Sequence, residues 1–237
     1  MSFFTKLGAS AAALAAFATL SSAQAAPVSF VQLTGVTGDP GAANTAVFQA
    51  DLSTAGLSSI SSIVISDSGV IGGSAPGQFS GFDLDAVIIS TVNCATAACV
   101  AGLTSDVILN YAGAMFTPGT QSAPTDPKLF GTNGAGTGVD DAVATLGVFD
   151  GFSSTATPDG FISLGVNGSI GFNLASALSV MTSIYLYIGE VGNNGELAAG
   201  GIELFEDPIS DVPLPAALPM FLMGLAALRM RAKRRAA

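Results

Sequence analysis

In the stretch SIGFNL, residues 169–174, Ile170, Phe172 and Leu174 alternate with Gly171 and Asn173. Apolar residues at period two share one face of a β-strand, whereas a helix of 3.6 residues per turn would scatter them. The pattern returns in SIYLYI, residues 183–188, where Ile184, Leu186 and Ile188 oppose Tyr185 and Tyr187. It returns again in GFDLDAVIIS, residues 81–90, where Phe82, Leu84, Ala86 and Ile88 alternate with Asp83 and Asp85. Further strands are expected at 28–33, 44–52, 62–66, 106–111, 161–166 and 201–205, separated by Gly-, Pro- and Asn-rich clusters such as TGDPGAAN and GTNGAGTG. Many short strands with such turns specify an all-β fold, a single antiparallel β-sandwich of jelly-roll-like type.

Local signals refine this expectation. Asn167-Gly168, between FISLGV and SIGFNL, is the strongest two-residue hairpin signal in the chain. DLSTAGLSSI (51–60) and NLASALSVM (173–181) are each read as a short helix or connector. The segment 117–140 lacks a strand pattern and reads as a long loop, for binding or merely mobile.

The chain has no His and no Trp. Without His there is no Ser-His-Asp or Cys-His arrangement, and the commonest general base and zinc ligand are both missing. Sixteen of the 17 Asp and Glu lie between 26 and 210 with Lys128 as the sole base there, so this section carries −15. Nucleic acid is thereby excluded as a partner, because no basic cluster exists to neutralise phosphates. The acidity fits a solvated exported surface, or one that recruits cations.

Cys94 and Cys99 are the only cysteines, and four residues separate them. In an exported chain this pair is expected to form a structural disulfide rather than a redox C-x-x-C. Closing so short a loop stabilises by about 2 kcal/mol in the chain-entropy model.

Among the carboxylates, Asp83 and Asp85 lie two apart on one strand face, roughly 6.6 Å apart by strand rise. Two acids catalysing glycoside hydrolysis must flank the scissile bond from opposite sides, which neighbours on one face do not. They read first as a polar outer face and second as a calcium ligand pair. Asp140, Asp141, Asp150, Asp159 and Glu203 add oxygens beside backbone-rich loops, which makes Ca²⁺ the one cofactor to consider; solvated turn carboxylates are the alternative. Asp67-Ser68-Gly69 has the letters of an aspartic-protease loop, but no second copy supplies the partner acid, so a turn after a strand explains it.

Both ends carry sorting information. Lys6 precedes an apolar run from Leu7 to Leu20, followed by small residues with Ala23-Gln24-Ala25 as a small-x-small cleavage site. This is the layout of a secretory signal peptide cut after Ala25. The other end reads VPLPAALPMFLMGLAALRMRAKRRAA. Val212, Pro213, Leu214, Pro215 and Ala216 form a Pro-containing box, the segment stays uncharged to Leu228, and Arg229, Arg231, Lys233, Arg234 and Arg235 follow. A helix from Ala216 to Leu228 spans roughly 20 Å, short of the ~30 Å hydrocarbon core.

This three-part tail closely resembles the sorting signal of exosortase-processed PEP-CTERM proteins, in the Val-Pro-Leu-Pro-Ala variant, with Pro-Leu-Pro where the namesake motif has Pro-Glu-Pro. The resemblance implies export through the inner membrane and a transient transmembrane anchor with the body in the periplasm. An exosortase-family transpeptidase would then cut the tail and pass the body to the cell surface or extracellular matrix, with exopolysaccharide as an associated partner. The basic cluster agrees with that topology, since cytoplasmic segments retain Lys and Arg. GQFSGFDLDAVIIS and GFISLGVNGSIGFNL are also similar to recurring β-sandwich segments of proteins bearing such tails.

The expected organisation is a signal peptide at 1–25, an acidic β-sandwich at 26–210 and a sorting signal at 211–237. The leading functional expectation is a non-enzymatic surface or matrix protein. A secreted carboxylate-dependent glycoside hydrolase or a calcium-dependent carbohydrate-binding module is the alternative.

Overall fold

The computed structural model describes residues 25–38, 44–69, 75–152, 154, 156, 158–180, 183–194 and 197–210. The expected signal peptide up to Gln24, including Ala23, lies outside the described residues, as does the whole sorting signal from 211. The box from Val212 to Ala216 and the basic cluster from Arg229 to Arg235 therefore lie outside them too.

Ten strands follow in chain order: β1 (Ala25–Pro27), β2 (Val31–Thr37), β3 (Thr45–Asp51), β4 (Ser59–Asp67), β5 (Asp83–Ser90), β6 (Met115–Thr117), β7 (Ile162–Ser163), β8 (Ser169–Ser179), β9 (Tyr185–Val191) and β10 (Leu197–Phe205). Two short helices, α1 (Ala97–Ala101) and α2 (Asp141–Ala144), and 3-10 turns at Leu52–Ala55 and Gly77–Phe79 lie between them. One sheet has the order β1-β10-β4-β8-β6 and the other β2-β3-β9-β5-β7, and every pairing between these strands is antiparallel. The all-β expectation holds. From β3 onward the chain crosses between sheets at each step.

The core lies between the sheets. Ile60, Ile63, Ile65, Ile170 and Phe172 of the first sheet meet Phe48, Leu84, Val87, Leu186 and Ile188 of the second. Each such fully buried side chain contributes about 2 kcal/mol of transfer free energy. Ile170, Phe172 and Leu174 do share the core face, and Leu186 and Ile188 do oppose Tyr187.

Strand β5 departs from its alternation. Its pairing with β9 runs from Leu84 opposite Glu190 to Val87 opposite Ile188, so three steps on β5 match two on β9. This bulge reverses the phase: Phe82 and Leu84 face the core, then Val87 and Ile89 do, while Ile88 joins a separate cluster. The expectation that Ile88 shares a face with Phe82 and Leu84 is corrected accordingly.

That second cluster covers the outside of the β2–β9 sheet. Leu33, Val47, Ile88 and Tyr187 pack beneath Cys94, Ala97 and Val100. The Cys94–Cys99 disulfide forms as expected and braces the loop carrying α1. Tyr187 Oη donates to Val92 O at 2.6 Å and accepts from Cys94 N at 2.9 Å and Gln49 Nε2 at 2.8 Å. The loop is thus tied to the sheet by one buried phenol.

Other expectations are corrected by pairing. Asn167-Gly168 is not a hairpin turn, because β7 and β8 belong to different sheets. Asn167 does adopt the left-handed conformation, φ 63°, but Gly168 O accepts from Asp67 N at 2.9 Å, turning the chain across the sandwich. The expected helix at 173–181 is strand up to Ser179, since tertiary pairing of Leu178 and Ser179 with Ile60 and Ser59 overrides a helix-compatible composition. The strand expected at 106–111 makes only one bridge, Leu109 to Leu174, and the one expected at 161–166 shortens to Ile162–Ser163. The segment 117–140 is anchored: Leu129 and Thr132 are buried, Thr120 bridges Val166, and the Phe130 ring sits 4.5 Å from Phe161.

Asp67 is a structural hub. Its Oδ1 accepts from Gly69 N at 2.8 Å and Asn167 N at 2.7 Å, and its Oδ2 from Phe82 N at 2.9 Å. One carboxylate thus joins the end of β4, the approach to β5 and the turn before β8. Asp67→Ala leaves these donors without their acceptor and is expected to lower unfolding free energy by about 3 kcal/mol in urea titrations. Replacing both cysteines by serine is expected to cost a smaller ~2 kcal/mol in the same assay.

Candidate functional site

The loop from 140 to 151 presents two surfaces, and the sequence-derived acids divide between them. Asp140 caps α2, accepting from Ala142 N at 3.2 Å, and Asp141 occupies the first turn. Thr145 follows with φ 40°, an unusual backbone for a β-branched residue that costs on the order of 1–2 kcal/mol. Two hydrogen bonds hold that turn: Thr145 Oγ1 donates to Asp150 Oδ1 at 2.9 Å, and Leu146 O accepts from Val87 N at 3.0 Å. The second bond lands on the β5 bulge.

The inner surface of the loop seals Asp85. This residue is fully buried, in contrast to the solvated outer face expected for it. Its Oδ1 accepts from Gly151 N at 2.8 Å, while Oδ2 has no hydrogen-bond partner. Two glycines make the close approach possible. A Cβ on Gly189 would lie 2.9 Å from both Asp85 Cβ and Phe149 Cε1, and one on Gly151 would lie 2.8 Å from Asp85 Oδ1. Burial pushes the Asp85 carboxyl up to about 7, partly offset by contact with the Thr45 hydroxyl and the Gly151 N–H, while nearby Asp150 raises it further. Asp150 is itself raised, mainly by desolvation and with repulsion from Asp159 adding to it.

Asp85, Asp150 and Asp159 are therefore electrostatic neighbours, whereas Asp83 is engaged elsewhere, accepting from Ser163 Oγ at 2.5 Å. The expected set of six acids is not one site. Among the described residues no three acidic or thiol groups are placed to hold a metal ion together. Asp83 is also buried, so neither member of the pair stands on a solvated face. Glu203 lies on β10 opposite Pro27 and Val64.

The outer surface of the loop lines an open cleft of about 570 Å³. Asp141, Thr145, Leu146, Gly147 and Val148 form one wall, and Leu109, Asn110, Tyr111 and Ala112 the other. Leu109 and Leu146 reach into the core, so the cleft opens at the side of the sandwich beside the β5 bulge. Tyr111 Oη donates to Val87 O at 2.8 Å, and its ring meets Phe172 edge-on at 5.9 Å. Desolvation pushes the Tyr111 phenol up to about 12, so it stays a neutral donor. Asn110 turns its Oδ1 to Gly113 N at 3.0 Å. Nothing in local sequence marked this cleft; a tyrosine after an apolar run and an acid after a turn meet only through the crossovers.

No family model matches this chain, and no curated protein or solved structure matches it either.

The buried carboxyl sets a pH dependence. An unfolded Asp ionises near 4, whereas folded Asp85 keeps its proton to about 7. Between those values the folded state binds more protons, so stability falls as pH rises, by up to about 1.4 kcal/mol per pH unit, and levels off above the folded value. Asp106 is lowered from its ordinary value by Thr91 N–H and the Ser90 hydroxyl, and acts in the opposite sense only at lower pH. Urea midpoints between pH 5 and pH 8 are expected to decline for the wild type, and Asp85→Asn is expected to remove most of that decline.

Proposed function

We propose that this chain is a non-enzymatic exported protein of the cell surface or extracellular matrix, an acidic jelly-roll-like sandwich delivered by exosortase-type processing. The carrying observation is the C-terminal triplet of Val-Pro-Leu-Pro-Ala box, uncharged segment and basic cluster, beginning at Val212 just beyond the last described residue. The described strands all lie between Ala25 and Phe205. The strand orders β1-β10-β4-β8 and β3-β9-β5-β7, with β2 and β6 added at the edges, support the jelly-roll-like part of this reading.

A structural rather than catalytic role for the body is supported by the surroundings of its acids. Asp67 serves three backbone amides, Asp83 a serine hydroxyl, and Asp85 is sealed beneath a loop. The glycosidase alternative requires a proton-donating acid near neutrality, which Asp85 resembles in value. It also requires that acid to reach substrate, and Asp85 has no exposed surface.

Signal cleavage after Ala25 would remove one of the three β1 pairs and leave Ala26 and Pro27 facing Leu204 and Glu203. Fractionation of the producing bacterium, with and without its sorting transpeptidase, tests the delivery. The protein is expected at the surface or in the matrix, beginning at Ala26 and lacking the basic cluster, and to remain in the inner membrane when the transpeptidase is deleted. An intact tail on the surface form overturns the proposal.

A further inference from the structure

We propose that the cleft between 109–112 and 141–148 is a binding site for a saccharide without anionic groups. The proposal deepens the matrix reading by naming a site and ligand class, and it rests on that reading only for where such a glycan would be met. At about 570 Å³ the cleft is within the range of small-ligand sites and open enough to admit a polymer segment.

Its chemistry is divided as a pyranose is divided. A sugar ring has apolar C–H faces and a rim of hydroxyls. Val148, Ala112 and the half-buried Tyr111 ring offer the apolar surface over a floor of buried Leu109 and Leu146, and Asn110 and Asp141, both exposed, offer the polar rim. With Asn110 Oδ1 taken by Gly113 N, its amide N–H₂ remains as a donor, while the Asp141 carboxylate accepts. The rim therefore supplies both halves of a hydroxyl's hydrogen bonding.

Charge narrows the class. Among the described residues no base lines the cleft, and Lys128, the sole base between 26 and 210, is occupied with Thr132 O and Asn133 O. A phosphate, sulfate or uronate would meet only carboxylates and a strongly negative body. The walls are also set before any ligand arrives. Tyr111 is held by Val87 O and by Phe172, and the opposite wall by the Thr145–Asp150 and Leu146–Val87 hydrogen bonds. Holding a site rigid removes ordering costs that weak glycan binding could not offset.

The test is calorimetric titration of the full chain, kept in a sugar-free detergent, with cellohexaose, laminarihexaose, maltohexaose and an oligogalacturonate. At least one neutral hexasaccharide is expected to bind with Kd of about 1 mM or tighter. Asp141→Asn, at an exposed position, should weaken it about tenfold. Val31→Ser on the exposed β2 edge should leave it unchanged. Because the chain lacks Trp, tyrosine fluorescence gives an independent readout, and its response to the sugar should vanish in Tyr111→Phe/Asp141→Asn. Absence of binding by all three neutral sugars at about 10 mM overturns the proposal. So does undiminished affinity in Asp141→Asn, or equal binding of the oligogalacturonate. Mislocalisation in the fractionation experiment would overturn the delivery reading and leave these titrations standing.

Discussion

Strand β5 is buried along its whole length, on both faces, and much of the molecule is arranged to make that possible. One face belongs to the core between the sheets. The other would be open in a simple two-layer sandwich, and here it is closed by the disulfide-braced loop over Ile88 and by the 140–151 loop over Asp85. A strand covered on both sides can afford a bulge that exchanges its faces midway, because either phase finds apolar partners. The bulge then supplies what neighbouring segments need: Val87 N and O are free to receive Leu146 and Tyr111.

Those two contacts connect the packing to the surface. Leu146 and Tyr111 stand on opposite walls of the cleft, so an irregularity in the sheet sets the width of an opening outside it. Behind one wall lies the buried carboxyl of Asp85, the point where the same loop meets the sheet. Its proton keeps a charge out of a buried region beside a second acid, Asp150, where the Gly151 amide and the Thr45 hydroxyl only partly offset the desolvation. Loop, bulge and acid are one assembly. The strained backbone at Thr145 is tolerated because the hydrogen bonds on either side overdetermine it.

The acidic character of the chain consequently has two components. Some carboxylates act as internal acceptors for backbone and hydroxyl groups, as at Asp67, Asp83 and Asp106. Others, such as Asp141, remain on the surface and set its electrostatic preference. Net charge alone does not separate the two groups, and the letters of a motif do not either. Asp67-Ser68-Gly69 owes its form to its own Gly69 amide and to two amides from distant parts of the chain, Phe82 and Asn167.

Strand identity was legible in sequence where alternation was unbroken, as in β8 up to Leu174 and in β9, because side-chain period is a local property of an extended backbone. The disulfide was legible because only two cysteines exist. The short strand β6 and the strand character of 175–179 were not, since each depends on a partner distant in the chain. The same holds for Asp83 and Asp85: alternation assigns them to the face opposite the core, and it did so correctly, but a local pattern carries no information about what covers that face. Sequence by itself determined the all-β class and the distribution of charge. Only the tertiary structure decided which acids are buried, where the phase of β5 reverses and which residues line the cleft, because these follow from contacts between segments that no local period encodes.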